Sequence, residues 1–581
     1  MMFKNSAEAS ATRRWLVSSV LAAAVLTPAV PAVLPEGLAA FLPFEPVAWA
    51  ASMGAIDPGA QLSQAREYME QQRVAHQMEE DQERQKVKVE TEAQKPEQNV
   101  SRVTFTLNRV DTDPSEILTE AEIKNITDPY LGKTASLQDL YDMTAAINRL
   151  YEEKGYAVCR AYLPPQRIHE GAVQIKLLEG KTGNVTVNGL RFTRKGYVTH
   201  RIRLEPGKVA NTDMLNDELQ RFNATNDVQL RILVHAGTQP GTTDYEIVAF
   251  EPKSNHTVSL YADNNGYDTS GRCREGVFYT MRSLTGQRDA LRLNYLRSKG
   301  TNIFGANYSM PVNNRGTMLD FDYGTNTTKI IKGNLASLGV KGHAYAAGIA
   351  LRHPLRVDEK RRDEIGFQFL HQNSQTDIGT KSNNYIKWVN DTRNTFIPYI
   401  SFTHYGKSSV LYHKHSLAFT GFNNLYNTAD NYASYRLDAL YQKRLKGDQM
   451  LSGRLNAQVA GENKNMSSSD YFYIGGVNSV RGYEESFLSG SQGFTASLTW
   501  QTPLDKKRIW NAFTFVDYGR VFGDERTVID HTLISTGLGV TVSHKNFYSS
   551  LTLGIPLKRE FKSQAEKVDK ARLHFNCSVT F

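Results

Sequence analysis

The last ten residues of the chain alternate strictly between apolar and polar side chains. The apolar positions are Leu573, Phe575, Cys577, Val579 and Phe581, and every residue between them, from Arg572 to Thr580, is polar. Side chains point to alternate faces along a β-strand, so this pattern predicts a strand with one apolar face and one polar face. Because a soluble edge strand can show the same pattern, the interpretation depends on whether the pattern recurs.

The same alternation recurs throughout residues 254–581. It is clearest at 291–295, 319–323, 435–441, 451–459 and 494–500. If the apolar faces lie in lipid, the opposite faces carry charges into a lumen: Arg292, Asp320, Asp322, Arg436, Asp438 and Arg454. This orientation is favoured because a Lys or Arg at the lipid midplane costs about 2–4 kcal/mol. At about 20 residues for each strand with its loop, the segment predicts a 16-stranded antiparallel transmembrane β-barrel that is wide enough for a water-filled channel.

The first fifty residues have the pattern of a secretory signal peptide. Arg13 and Arg14 precede an apolar run at 15–26, and Ala32 and Ala50 are the candidate cleavage positions. An uncleaved anchor helix is the alternative, although the run is short for a membrane span. We therefore expect export across an inner membrane.

Residues 51–100 are polar and rich in charge. The stretch 61–85 has a helix-forming composition with a thin apolar stripe, and 86–99 has the composition of a flexible linker. A helix this polar cannot form a core by itself. It is predicted either to lie in a wet cavity or to serve as a mobile spacer.

Two α+β units are predicted before the barrel, at 101–180 and 181–253. In the first, Ser136 can cap a helix that ends at Gly155, and strands are predicted over 156–163 and 172–178. The second repeats the order, with strands near 185–187, 228–234 and 245–250 and a helix over 211–222. The residues expected to face inward from this helix are Met214, Leu215, Leu219 and Phe222.

Charge and reactive side chains narrow the possible functions. The formal net charge of +8 is spread along the chain without a dense basic block, so a surface facing lipopolysaccharide or peptide is favoured over nucleic-acid binding. The cysteines form no cluster with metal-ligand or disulfide-framework spacing, and the histidines of the barrel segment form no catalytic spacing. These residues are Cys159, Cys273, Cys577, His371, His404, His413 and His415. The chain is therefore expected not to be an enzyme and to use no cofactor or metal.

Asp517 breaks the simple barrel pattern. It shares a face with Phe513 and Phe515, so either a carboxylate faces lipid or two phenylalanines face the lumen. Phenylalanine is tolerated in a lumen far better than an unpaired carboxylate in hydrocarbon, so Asp517 is predicted to point inward. The candidate partners of this carboxylate are Arg481, in the longest predicted loop, and Arg454 of the barrel wall.

These motifs resemble those of the outer-membrane BamA/TpsB superfamily. The motif residues are Val480, Arg481, Gly482 and Tyr483 in the loop predicted over 461–490, Phe515, Asp517 and Gly519 in a strand, and the C-terminal Val579 and Phe581. The two upstream units resemble POTRA domains. In the first, Leu163-Pro164-Pro165-Gln166 and Leu178-Glu179-Gly180 are similar to the two-partner secretion transporters, named TpsB or haemolysin secretion/activation proteins of the ShlB/FhaC/HecB type.

The resemblance implies transport of a large unfolded partner exoprotein, of the TpsA type, from the periplasm to the cell surface. The POTRA-like units would bind the partner in the periplasm, partly by β-augmentation. The loop with Arg481 would fold into the pore as a lid pinned to Asp517, and the helix over 61–85 would plug the resting pore. Val579 and Phe581 would form the signal that the barrel-assembly machinery reads, and the outer wall would contact lipid and lipopolysaccharide.

Three alternatives remain at this point. A barrel-assembly insertase of the same superfamily usually carries more than two POTRA-like units. A passive porin would not need about 150 periplasmic residues in two folded units. An outer-membrane enzyme would need a catalytic spacing that the histidines do not show.

Overall fold

The computed structural model describes residues 56–83, 104–333, 335–358, 360–379, 384–425, 429–461, 466–523, 530–562 and 567–581. The predicted signal peptide and the whole of the predicted linker, 86–99, lie outside the described residues. The first described element is the helix α1, Pro58–Glu83. It is followed by two small α+β units and a closed β-barrel.

The first unit is built around a three-stranded sheet. Its elements are β1 (Thr104–Thr106), β2 (Arg109–Thr112), α2 (Glu120–Thr127), β3 (Thr134–Ser136), α3 (Leu137–Glu153), β4 (Arg160–Tyr162) and β5 (Ala172–Leu178). The sheet order is β2-β5-β4, with β2 parallel and β4 antiparallel to β5. Ser136 caps α3 in a capping box with Asp139, which typically contributes about 0.5–2 kcal/mol. The predicted strand over 156–163 is shorter than expected, because the N–H of Cys159 donates to the carbonyl of Tyr156 in a turn.

The second unit repeats this sheet arrangement. Its elements are β6 (Lys181–Asn188), α4 (Lys195–Thr199), α5 (Thr212–Thr225), β7 (Gln229–Ala236) and β8 (Thr242–Phe250). The order is β6-β8-β7, with β6 parallel and β7 antiparallel to β8. Leu215, Leu219 and Phe222 of α5 are buried, whereas Met214 is 57% exposed and the prediction that it faces inward is wrong. Buried positions spaced by four and three residues form the inward stripe, and Met214 falls outside it.

The second unit is attached to the barrel through the turn after the second barrel strand. The buried Arg288 pairs with Asp227. The hydroxyl of Ser283 donates to the carbonyl of Phe192 at 2.9 Å. Backbone groups of the same turn also bond the unit, since the N–H of Arg194 donates to the carbonyl of Gly286 at 2.9 Å. These contacts define the end of the barrel that faces the two α+β units.

Of the eighteen strands described after the second unit, sixteen are antiparallel and close into the barrel. In chain order the strands are β9 (His256–Asp263), β10 (Arg274–Arg282), β11 (Ala290–Arg297), β12 (Thr301–Pro311), β13 (Met318–Lys329), β14 (Lys341–Val357), β15 (Arg361–Gly379), β16 (Tyr385–Tyr405), β17 (Ser409–Asn423), β18 (Ala429–Arg444), β19 (Met450–Ala460), β20 (Phe472–Ile474), β21 (Leu488–Gly490), β22 (Gln492–Pro503), β23 (Trp510–Phe522), β24 (Thr532–His544), β25 (Phe547–Pro556) and β26 (Arg572–Thr580). β20 and β21 form a separate hairpin, and the other strands pair in sequence until β26 pairs with β9. The predicted 16-stranded barrel is confirmed.

Each barrel strand presents one face to the lumen and one to the outside. On β17 the even-numbered residues face α1 in the lumen, with Val410 packed against Val74 and Met78. The odd-numbered residues face outward, and Phe419 is 49% exposed. None of the helices in the described ranges has the length and apolar character that a membrane-spanning helix requires.

Candidate functional site in the barrel lumen

The lumen contains α1, which passes through the barrel from one end to the other. A 26-residue helix is about 39 Å long, enough to cross the apolar band of an outer-membrane barrel, which is about 25 Å tall. Its first turn lies at the end remote from the two α+β units, where the carbonyl of Pro58 accepts from the Nδ2 of Asn326 at 3.0 Å. Its later turns lie near the end to which the second unit is attached, where Val74 and Met78 pack against the wall.

Asp57 caps α1 and also holds the long loop after β19. Its Oδ1 accepts from the N–H of Gly59 at 2.8 Å and from the hydroxyl of Ser374 at 2.5 Å. Its Oδ2 accepts from the hydroxyls of Ser468 and Ser469 at 2.6 and 3.1 Å. Asp57 is 5% exposed, so a single buried carboxylate joins the helix, the wall and the loop. Such a cap satisfies helix N–H groups that would otherwise be unpaired.

Charged and polar side chains of the wall bind the middle of α1. Arg436 reaches Glu67 at 3.4 Å, and Nη1 of Arg454 donates to Gln71 at 3.0 Å. On the other side, the hydroxyl of Tyr267 donates to Gln64 at 2.9 Å. The polar side chains of α1 therefore have polar partners in the lumen, in agreement with the polar composition of the helix.

The loop between β19 and β22 folds back into the barrel. We call residues 466–491 the inward loop. It contains a 3₁₀ turn at Ser468–Asp470 and the hairpin of β20 and β21. Gly475 and Gly476 have φ of +110° and +96°, so a side chain at either position would be strained, and the sharp turn of the loop depends on them.

The tip of the inward loop is fixed by Arg481 and Asp517. Nε of Arg481 donates to Oδ2 of Asp517 at 2.7 Å, Nη2 donates to Oδ1 at 2.7 Å, and the backbone N–H of Arg481 donates to Oδ2 at 3.0 Å. Asp517 is completely buried near the middle of β23 and faces inward. The guanidinium carbon of Arg481 lies 3.5 Å from the centre of the Phe515 ring. The bidentate pair and the ring contact together hold the arginine on both its edge and its face.

Two hydroxyls complete the binding site for Arg481. Nη2 donates to Ser497 at 3.0 Å and to Thr499 at 3.1 Å, and the hydroxyl of Ser497 donates to Asp517 at 2.7 Å. Both residues lie on β22, adjacent to β23. The sequence analysis did not find them, because their role depends on the strand register. Arg454, the alternative partner of Asp517, binds α1 instead.

The residues on either side of Arg481 pack into an apolar cluster. Val480 and Tyr483 are fully buried, and Gly519 provides space, since a Cβ there would lie 2.8 Å from Cγ2 of Val480. The hydroxyl of Tyr483 lies 2.9 and 2.8 Å from the carbonyl oxygens of Ile534 and Lys558. The loop tip is therefore attached to β23, β24 and the segment after β25.

Gly482 is in close contact with the wall at Gly554 of β25. It has φ of +93°, and its N–H donates to Nε2 of the buried His574 at 3.1 Å. A Cβ at Gly554 would lie 2.4 Å from the nitrogen of Gly482. Neither Gly554 nor His574 was identified from the sequence. A glycine within a strand indicates that another part of the backbone lies close to it, but the sequence does not show which part.

We expect Gly554→Ala to displace the loop tip without unfolding the barrel. The added methyl group would overlap the backbone of Gly482, and overpacking of this kind costs about 1–3 kcal/mol. Protease cleavage of the inward loop in intact cells should become faster. Gly453→Ala is the matched control, because a Cβ there meets no atom within 4 Å. Equal cleavage of the two variants would show that the contact does not hold the loop.

The C-terminal residues lie at the seam of the barrel. Val579 is paired with Leu260 across the seam, and the N–H of Phe581 donates to the carbonyl of Val258 at 2.8 Å. Phe581 is 69% exposed. Its ring is thus available at the end of the closed barrel to which the second unit is attached.

Reactive groups outside the loop give no sign of a catalytic or metal centre. Among the described residues, no three His, Cys, Asp or Glu side chains are placed so that they could hold a metal ion. Cys159 lies in the core of the first unit, where burial raises the pKa of its thiol to about 12. A thiol with so high a pKa is a poor nucleophile at neutral pH.

Comparison with known proteins identifies the family. The family model described as haemolysin secretion/activation protein ShlB/FhaC/HecB matches residues 241–542, just over half of the 581-residue chain. The model described as POTRA domain, ShlB-type, matches residues 105–180. The chain belongs to the ShlB/FhaC/HecB family. The predicted resemblance is confirmed, and the first α+β unit is a POTRA domain.

Several individual relatives of this chain are named as transporters. The heme/hemopexin transporter protein HuxB of Haemophilus influenzae strain 86-028NP is 24% identical over 500 residues, which cover 81% of this chain and 86% of that protein. The outer membrane transporter CdiB of Dickeya dadantii is 22% identical over 491 residues, covering 78% and 83%. The structure of CdiB from Escherichia coli superposes with a TM-score of 0.66 at 18% identity, covering 91% of this chain and all of that one. The last comparison supports the fold.

Family membership assigns the chain to the outer membrane, with its N-terminal units in the periplasm. As a ShlB/FhaC/HecB protein it is a transporter that secretes a partner exoprotein, as the sequence predicted. The end of the barrel at which the second unit is attached is therefore the periplasmic end, and the inward loop enters from the cell surface.

Proposed function

We propose that this chain conducts a large unfolded exoprotein of the TpsA type through its barrel and that α1 and the inward loop close the pore at rest. The observation that carries the proposal is the buried pair of Arg481 and Asp517, which fixes a surface loop halfway down the wall. The lumen is also filled by α1, whose polar contacts are made to wall residues and are replaceable by water. Both closures are thus held in part by polar groups that a passing chain can displace.

Capture of the partner is assigned to the periplasmic units. The second unit, 181–253, shares the sheet arrangement of the POTRA domain at 105–180, and we propose that it is a second POTRA-like domain. Each unit has edge strands, and an extended segment of the exoprotein would add to one of them by β-augmentation. The attachment of the second unit to the barrel through Arg288 and Asp227 would keep a captured segment beside the periplasmic opening.

The ends and outer face of the barrel suggest how the barrel is assembled and what surrounds it. Val579 and Phe581, at the periplasmic end of the seam, would be read by the barrel-assembly machinery, and the outward faces would contact lipid and lipopolysaccharide. The chain is proposed to have no enzymatic activity and no resident cofactor. Transport would be driven by folding of the exoprotein outside, since no nucleotide motif is present in the sequence.

Co-expression with the exoprotein encoded by the neighbouring gene tests the proposal. We expect the exoprotein in the medium or on the cell surface only when this chain is present, and in the periplasm when it is absent. Total exoprotein and the heat-modifiable mobility of the barrel serve as controls for expression and folding. Defective assembly of other outer-membrane barrels on depletion, without any secretion, would instead identify an insertase.

A further inference from the structure

Three histidines meet on the outer wall of the barrel, away from the lumen. His404 lies on β16, and His413 and His415 lie on β17. The ring centroids of His404 and His413 are 5.8 Å apart, and those of His413 and His415 are 5.1 Å apart. The sequence analysis found no catalytic spacing among these residues, and only the register between β16 and β17 brings them together.

The orientation of the cluster follows from its neighbours. Lys414, between the two histidines of β17, reaches Glu70 of α1 in the lumen at 3.7 Å. Because side chains alternate along a strand, His413 and His415 point to the opposite face, toward lipid. On β16, Phe402 is directly paired with His413 and lies on the same outer face.

A chain of hydrogen bonds runs through the cluster. Nδ1 of His413 is 2.9 Å from Nε2 of His415, and Nδ1 of His415 is 2.7 Å from the hydroxyl of Tyr435 on β18. One set of neutral tautomers has Tyr435 donating to His415 and His415 donating to His413. In this arrangement Nε2 of His413 carries a hydrogen that is available to an acceptor in the membrane.

Basic groups surround the histidines. Arg361 is paired with His404 across β15 and β16, and its guanidinium carbon lies 5.5 Å from the centre of the Phe402 ring. Exposed lysines flank the cluster at Lys407, in the turn after β16, and at Lys443, near the end of β18. Asp363, which pairs with Arg361 at 2.7 Å, is the acidic group beside them. The local charge is therefore positive even with the histidines neutral.

The level of the cluster in the membrane is set by the strand ends. His404 is one residue before the end of β16, at the periplasmic side of the barrel. The equivalent outward positions early in β11 are occupied by Leu291 and Leu293. The cost of polar side chains on the lipid face falls toward the interface, so a hydrogen-bonded group of them at the edge of the apolar band lies within reach of polar lipid headgroups.

We propose that this face, which we call the histidine face, binds the phosphate diester of an anionic phospholipid in the periplasmic leaflet. His413 and His404 supply neutral N–H donors, and Arg361, whose Nε bonds to Asp363, supplies its other guanidinium N–H groups as charged donors for phosphate oxygens. Phe402, Leu411 and Tyr435 would contact the part of the lipid that extends from the phosphate toward the centre of the membrane. The inference depends on the barrel being in the outer membrane and not on the proposed closures of the pore.

Native mass spectrometry of the full-length protein tests the proposal. The protein would be purified from nanodiscs that contain phosphatidylcholine with phosphatidylglycerol, and the retained lipids counted during stepwise removal. We expect wild type to retain phosphatidylglycerol preferentially. The variant Arg361→Gln should reduce this preference about five-fold, the value of one basic contact at a membrane surface. Separately, the variant His404→Leu/His413→Leu should also reduce the preference, because it removes the neutral N–H donors.

Controls separate lipid binding from misfolding and from other occupants. His371→Leu changes an outward histidine of β15 far from the periplasmic end and should retain lipid like wild type. Heat-modifiable mobility should be unchanged in all variants. Equal retention of the two phospholipids by wild type, or unchanged retention by the histidine-face variants, would overturn the proposal. A wild-type dimer that these variants convert to monomer would assign the face to a second copy of the chain instead.

Discussion

Replacing Arg481 by alanine is expected to abolish secretion of the partner exoprotein while the barrel still folds. The substitution removes both guanidinium bonds to Asp517 and leaves a fully buried carboxylate without its cation. Breaking a buried pair in this way costs about 3–5 kcal/mol, which is enough to release the loop tip from β23. Secretion is expected to fail because the unanchored loop would then lie across the path of the exoprotein instead of docking against the wall. The measurement is the amount of exoprotein in the medium relative to the amount in the cells.

A graded series distinguishes the pair from the loop as a whole. Arg481→Lys retains the charge but not the bidentate geometry, so partial secretion is expected. Asp517→Asn should resemble Arg481→Ala, because the wall loses the acceptor that holds the tip. Arg508→Ala is the matched control, since Arg508 forms a solvent-exposed pair with Asp448 in a periplasmic turn. Normal secretion by Arg481→Ala would contradict the assigned role.

Deleting residues 57–83 is expected to give the largest change in conductance. The deletion removes α1, a cylinder about 10–12 Å across with its side chains, from the lumen. Ions would then pass through a channel lined by Arg436, Arg454 and the other polar wall residues that now bind the helix. Single-channel recording in planar bilayers should show a several-fold rise in conductance over wild type.

A point substitution provides the graded form of this experiment. Gly59→Leu should dislodge the first turn of α1, because a Cβ at this position would lie 2.5 Å from Oγ of Ser469 and 2.8 Å from Cβ of Ser374. A smaller and more variable rise in conductance is expected. Gln72→Ala, at an exposed position of the same helix, is the control. If the deletion leaves conductance at the wild-type value, α1 is not the closure.

The sequence predicted the parts of the fold that depend on local pattern. The alternation around Leu573 predicted a lipid-facing strand, and the conflict at Asp517 predicted its inward orientation, because burial of an unpaired carboxylate in lipid is so costly. Ser136 predicted the start of α3. These features are determined by a few neighbouring residues and, for Asp517, by the large free-energy cost of placing an unpaired carboxylate in lipid.

Features that depend on register were not accessible from the sequence. Ser497 and Thr499 bind Arg481 only because β22 lies beside β23. Gly554 contacts Gly482 only because the inward loop folds back against β25. The clustering of His404 with His413 has the same cause. Hydrogen-bonded registers are set by the closure of the entire barrel, which no single strand encodes.

The carboxylate of Asp57 couples the free energy that retains the helix in the barrel to the free energy that retains the inward loop. It caps α1 through Gly59 and simultaneously accepts from Ser468 and Ser469 of the inward loop. By linkage, whatever free energy the docked loop contributes to retaining the helix, the docked helix contributes equally to retaining the loop. If both elements close the pore as proposed, an exoprotein that pulls on either one would loosen both, and the pore would open as a cooperative unit.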